Sequence, residues 1–89
     1  MLHISPTNAY KRDFKKIATE LVGSTEYVEV MYCLIHQLPL VEKYKDHPLQ
    51  GQWQGFRDCH IKPDLVLIYK IEDNLLHLVR LGSHSELFG

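Results

Sequence analysis

Five consecutive apolar residues, Leu65-Val66-Leu67-Ile68-Tyr69, stand between two turn signals, Lys62-Pro63 and Glu72-Asp73-Asn74. A short apolar run closed off by turns reads as a buried strand, and a buried strand obliges the rest of the chain to cover it. Flanking strands are at hand. Phe56 to Ile61 alternates in strand fashion, and Leu75 to Leu81 forms a last strand that Gly82 ends. Turns this short make the three an antiparallel run. With 89 residues in all, the chain is one domain, residues 1–89, and buries roughly 60–65% of its unfolded surface in one compact core.

The cover comes from the N-terminal half. Leu2-His3-Ile4 is a short apolar alternation, a candidate strand, and Ser5-Pro6-Thr7-Asn8 supplies a break and a helix N-cap. Tyr10, Phe14, Ile17, Ala18, Leu21 and Val22 then recur at helical spacing, and Gly23 is the expected stop. Thr25 is the expected cap of a second helix with the apolar set Tyr27, Val28, Met31, Leu34, Ile35 and Leu38, ended by Pro39. Joined by so short a turn, the two helices form an antiparallel hairpin. Ser83 to Phe88 reads as one closing helical turn. The expected class is α+β: an N-terminal strand, a helical hairpin, a three-stranded antiparallel run completing a small sheet, and a C-terminal turn of helix.

Composition narrows the partners. No apolar run approaches the roughly 20 residues of a membrane span, and no basic stretch leads into an apolar segment at the N-terminus, so a cytoplasmic protein is expected. Cys33 and Cys59 fall in different elements without metal-ligand spacing and read as two reduced thiols. Ten basic against eleven acidic side chains leave a formal charge of −1, so any polyanion site must be local. Residues 43–89 hold four of the six histidines beside six Lys/Arg and six carboxylates, and protonation next to a phosphate would turn that half cationic. Lys11, Arg12, Lys15 and Lys16 on the first helix read as a solvated face, with a phosphate track the sharper alternative.

The segment from Pro39 to Gln54 reads as irregular, the longest loop of the chain, and long loops in compact domains tend to carry function. It runs into the stretch richest in chemistry, His47-Pro-Leu-Gln-Gly-Gln-Trp-Gln-Gly-Phe-Arg-Asp-Cys-His60. Two imidazoles, an indole and an arginine lie there between glycines. The final Ser83-His84-Ser85-Glu86-Leu87-Phe88-Gly89 adds a third imidazole and an aromatic. Together they suggest a histidine-rich active site without metal, since no His-x-x-x-His on a helix and no Cys-x-x-Cys is present. RNA cleavage of that kind needs a base for the 2′-hydroxyl, an acid for the departing 5′-oxygen and donors for the phosphoryl oxygens. Imidazole, with an unperturbed pKa of about 6.5, serves either of the first two roles near neutral pH.

The run His47-Pro48-Leu49-x-Gly51-x-Trp53-x-Gly55-Phe56-Arg57-Asp58-x-His60-x-x-Pro63-Asp64-x-x-Leu67-Ile68-Tyr69, with Gly82-x-His84-x-x-Leu87-Phe88-Gly89 at the end, closely resembles the YafQ branch of the RelE/ParE toxin superfamily. The resemblance implies a ribosome-dependent endoribonuclease that cuts mRNA during translation. It also implies a cognate DinJ-like antitoxin, a small dimer that wraps the toxin, forms a heterotetramer and alone contacts operator DNA. The residues carrying activity in that branch map onto His47, His60, Asp64, His84 and Phe88.

Each candidate also has a plain structural reading. His47, before a proline in a loop, is a catalytic group or a loop hydrogen bond. His60 shares a strand face with Phe56 and Asp58 and, on its own, is a satisfied sheet histidine. Asp64 after Pro63 is a turn residue, or it orients an imidazole or takes a proton. His84, just past Gly82, is the first choice as proton donor to the leaving group. Phe88 is a core plug or a platform for an unpaired base. Arg80, spaced with Leu76 and Leu78, is expected near the pocket rim, where a guanidinium forks onto a phosphate or is simply solvated. Trp53 reads as an anchor for the loop, and Arg57 and Asp58 as side chains that pair with neighbours. Two other functions fit the same fold. A ParE-like binder of a topoisomerase needs no catalytic histidine, and a ribosome-independent RNase needs an extended basic surface that this composition lacks.

Overall fold

The computed structural model describes residues 1–89. Its elements, in order, are β1 (His3–Pro6), α1 (Asn8–Leu21), α2 (Thr25–Ile35), β2 (His47–Pro48), β3 (Arg57–Lys62), β4 (Leu65–Glu72), β5 (Leu75–Gly82) and α3 (His84–Phe88), with single 3-10 turns at Glu42–Tyr44 and Gly51–Trp53. The strands form one mixed sheet in the order β1-β5-β4-β3-β2. Only the β1–β5 pair is parallel, with His3 opposite Leu75 and Pro6 opposite Leu78. The expected α+β architecture is present, and the apolar run lies on the central strand.

Two apolar layers flank β4, and strand alternation explains both. Leu67 and Tyr69 face the helices with Cys59, Ile61, Leu76, Leu78 and Leu81, and Leu21, Val30, Met31 and Leu34 close over them. Val66 and Ile68 face the other way, onto Leu87, with Leu49, Trp53, Phe56, Val79 and Phe88 packed around them. A strand buried on both sides loses the polar half of its alternation, which is why its sequence is a continuous apolar run.

Caps set the helix limits. Thr7 accepts the Tyr10 amide at 3.0 Å and donates its hydroxyl to the Val79 carbonyl at 2.8 Å, so one side chain starts α1 and ties it to β5. Ser24, not Thr25, caps α2, its Oγ accepting from the Tyr27 amide at 3.2 Å. The helix ends at Ile35, where Gln37 turns to a φ of +55°, and Leu38 lies beyond it on the surface. The helices pack through Tyr10, Phe14 and Tyr27, whose ring centroids are 5.9 and 6.0 Å apart in sequence.

The stretch from Pro39 to Gln54 is less irregular than its composition suggests. It contains both 3-10 turns and β2, which pairs antiparallel with β3 through His47 opposite Asp58 and Pro48 opposite Arg57. Pro48 is compatible with that role because an edge strand leaves one side of its backbone unpaired. Both cysteines are free, and burial pushes the Cys59 thiol well above its ordinary range. No helix is long and apolar enough to cross a membrane.

Candidate active site

The face of the sheet away from α1 and α2 gathers three of the six histidines, His47, His60 and His84. Pairing aligns His47 of β2, Asp58 of β3, Ile68 of β4 and Arg80 of β5 in one cross-strand row. Beside it, His60, Val66 and Gly82 form a second row. Gly82 is followed at once by the Ser83 cap and His84. Adjacent strands are about 4.8 Å apart, so register alone brings three separate segments to one patch. The His47 and His60 rings stand 6.5 Å apart between centroids.

His47 is half exposed, and its Nδ1 lies 2.6 Å from the Lys45 carbonyl oxygen and 3.0 Å from Asp58 Oδ1. Both neighbours accept only, so Nδ1 carries the hydrogen and Nε2 holds the free lone pair in the neutral ring. The N–H aligns with Lys45. Asp58 Oδ1, in a residue only 2% exposed, is left without an aligned donor. Burial raises the Asp58 carboxyl, the positive fields of His47, His60 and His84 pull against that rise, and the Asp46 charge adds to it.

α3 positions the third imidazole. Ser83 accepts the Glu86 amide at 3.2 Å while Glu86 accepts the Ser83 amide at 2.8 Å, a reciprocal capping box. The backbone amide of His84, rather than its ring, donates to Asp64 Oδ1 at 3.2 Å. Asp64 therefore braces the start of α3 from the β3–β4 turn. The His84 ring lies 4.9 Å from that of Phe88, and Phe88 is half buried against the Val66 layer. Phe88 is thus partly seated in the core and partly open to solvent.

Arg80 points elsewhere. Val79 is the extra residue at a bulge, since Ile68 faces Arg80 while Tyr69 faces Leu78. Past the bulge Leu81 rejoins the layer under the helices, opposite Leu67, and the Arg80 guanidinium reaches Asp13 of α1. Its Nε donates to Asp13 Oδ2 at 2.7 Å and a terminal nitrogen to Oδ1 at 3.2 Å. Trp53 packs edge-on to Phe56 with centroids 5.5 Å apart, anchoring the loop as expected, with its Nε1 buried and unpartnered. Arg57 pairs with Asp46.

Next to His60 a cavity of about 390 Å³ opens, whose charged lining is Lys43, Lys45 and Lys62 with one carboxylate, Glu26. Three ammonium groups against one carboxylate leave this cavity locally cationic on a chain whose overall charge is −1. No three His, Cys, Asp or Glu side chains are grouped to hold a metal ion. Chemically, the patch offers imidazoles that can give or take protons, a buried carboxylate among them, and cations beside them. Asp13 was the residue least visible in sequence: it acts across 67 positions and carries no local motif.

A five-stranded mixed sheet with a helical hairpin on one face and imidazoles on the other is the RelE-like α+β architecture that the sequence led one to expect. Residues 2–89 match the family described as the bacterial toxin of type II toxin-antitoxin system, YafQ, and the chain belongs to that family. The mRNA interferase toxin YafQ of Escherichia coli strain B is 58% identical over 87 residues, spanning 97% of this chain and 95% of that protein. A copper-bound mutant toxin from Helicobacter pylori superposes with a TM-score of 0.90 at 42% identity, over 99% of this chain and 100% of that one. YafQ in the E. coli DinJ–YafQ complex gives a TM-score of 0.84 at 40% identity, with both chains fully covered.

Proposed function

We propose that this chain is the toxin of a type II toxin-antitoxin pair and an endoribonuclease that cuts mRNA on the ribosome. The convergence of His47, His60 and His84, from β2, β3 and α3, on one open face carries the reading. An imidazole there takes the proton of a 2′-hydroxyl, the 2′-oxygen attacks the adjacent phosphorus, and a second, protonated imidazole returns a proton to the 5′-oxygen as its bond breaks. The products are a 2′,3′-cyclic phosphate and a 5′-hydroxyl. His84, exposed at the start of α3, suits the donor role, and Phe88 beside it supports a stacked base. Asp64 holds α3 in place, while Arg80 reaches phosphate only by leaving Asp13.

The cations are few and local, which favours a substrate delivered already unstacked and aligned. A ribosome does that, and it replaces the extended basic surface that capture of free RNA requires. Exposed Lys11, Arg12, Lys15 and Lys16 on α1 are a second surface for ribosomal RNA. The partner is a DinJ-like antitoxin in a heterotetramer, by likeness to the E. coli DinJ–YafQ complex, and it alone contacts operator DNA. The setting is cytoplasmic, where translated message is found.

Mapping cut ends on a translated message tests the reading. Single alanine substitutions of His47, His60, Asp64 and His84 are expected to slow cleavage by roughly 10²–10⁴-fold where a proton-transfer group is lost. Growth arrest that survives His84→Ala at full strength, with intact message, would instead point to a toxin acting by binding alone.

A further inference from the structure

Asp58 is the one charged group at the centre of the patch that the proton transfers do not use. It is 2% exposed, flanked on β4 by the fully buried Ile68, and its Oδ1 finds no aligned hydrogen bond. A residue kept only for shape would be apolar or an amide there, because an ionised carboxylate is the costliest group to place in such surroundings. Yet the Nδ1 of His47 is 3.0 Å away, held on the far side by the Lys45 carbonyl at 2.6 Å.

We propose that Asp58 is the positioning residue of this site, the counter-ion that stabilises the His47 imidazolium once Nε2 has taken the 2′-hydroxyl proton. The inference rests on the nuclease reading above. Fixing hydrogen on Nδ1 leaves Nε2 of this half-exposed side chain as the basic atom. While the ring is neutral the carboxylate gains little from it. When the proton arrives at Nε2 and the 2′-oxygen bonds to phosphorus, a full positive charge appears 3.0 Å from a desolvated negative one. That interaction is made in the transition state and is nearly absent in the ground state, so it acts on kcat and not on substrate binding.

The charged groups that face Asp58 are His47 from β2, His60 from its own strand, His84 from α3, and Asp46 from the segment before β2. The three imidazoles favour its ionised form and Asp46 opposes it. Asp58 is thus the one buried charge that faces all three imidazoles.

Single-turnover cleavage of ribosome-loaded message by wild type and Asp58→Asn, across pH 5–9 and with thermal unfolding in parallel, decides the matter. The amide keeps the shape and removes the charge. Expected are a kcat lower by roughly 10²-fold, an unchanged KM, a Tm no lower than wild type, and an acidic limb of the kcat profile moved to lower pH, because the base no longer has an anion holding its proton. Asp58→Ser, smaller on every side, carries the same test should the amide not fold. In a His47→Gln background, Asp58→Asn should cost less than a few-fold. Full additivity of the two losses overturns the proposal, as does a variant matching an active wild type in rate and pH profile, or one losing rate only as it unfolds. A wild type that leaves translated message intact overturns the nuclease reading itself and Asp58's part with it, a result distinct from those.

Discussion

At Arg80 the guanidinium is already engaged, with Nε 2.7 Å and a terminal nitrogen 3.2 Å from the two oxygens of Asp13. Asp13 also accepts the Leu81 amide at 3.0 Å. Burial alone would raise the Asp13 carboxyl, but the bonds from Arg80 and Leu81 outweigh it and hold it below the ordinary carboxylate range. One side chain therefore joins α1 to the end of β5, just ahead of α3. Asp13→Asn is expected to cost about 1–3 kcal/mol, since it strips the charge from a hydrogen-bonded pair that is only partly shielded from water. In a domain of this size that lowers the melting temperature by several degrees. A variant melting with wild type would show that the pair holds nothing together. None of this was readable in the chain: Asp13 and Arg80 are 67 positions apart, and the spacing of Leu76, Leu78 and Arg80 conceals the bulge at Val79. The partner of Asp58 was hidden for a related reason. It is His47, across the sheet, and only the pairing of a two-residue strand brings the two together.

Elements were legible in proportion to their length. The helical periodicity of α1 and α2 and the apolar run of β4 survive small errors, so their existence followed from the residues while their ends did not. Ser24 and Thr25 are both acceptable caps by type, and the choice between them is made by backbone angles that composition does not encode. β2 has no period at all, being two residues long, and exists because β3 offers an edge to pair with. α3 shows the opposite case. Its five residues are too few to hold a helix unaided, and it depends on the Ser83–Glu86 box and on Leu87 buried in the layer below. Removing the cap with Ser83→Ala should therefore cost about 1 kcal/mol locally. The global melting temperature is expected to move little, while amide exchange over residues 84–88 quickens and cleavage slows with the loosened His84 and Phe88. Unchanged exchange in that segment would mean that Leu87 alone secures the helix.

Across the whole molecule the two buried carboxylates give opposite pH dependences. Asp13 has a folded-state pKa below the 3.8 of the free group, so its contribution to stability is present above about pH 4 and is lost as pH falls through the lower, folded value. Asp58 has a folded-state pKa above 3.8, chiefly from burial. Its contribution is fully present below about pH 4 and is lost as pH rises through the raised value. One anchors the scaffold near neutrality; the other strains it there, at the centre of the imidazoles. Urea midpoints measured for wild type and both asparagine variants between pH 3 and pH 7 should separate the two. Asp13→Asn falls furthest below wild type at pH 7 and approaches it in acid. Asp58→Asn rises above wild type at pH 7 and loses that advantage by pH 3. Were Asp58→Asn less stable than wild type at pH 7, the carboxylate would be a structural support, and the cost of its burial would no longer call for a role in the chemistry. If instead the stability gain appears together with slowed cleavage, the domain has kept a destabilising charge where an imidazolium must form. A scaffold held by the Asp13–Arg80 pair on one face then carries that strain on the other.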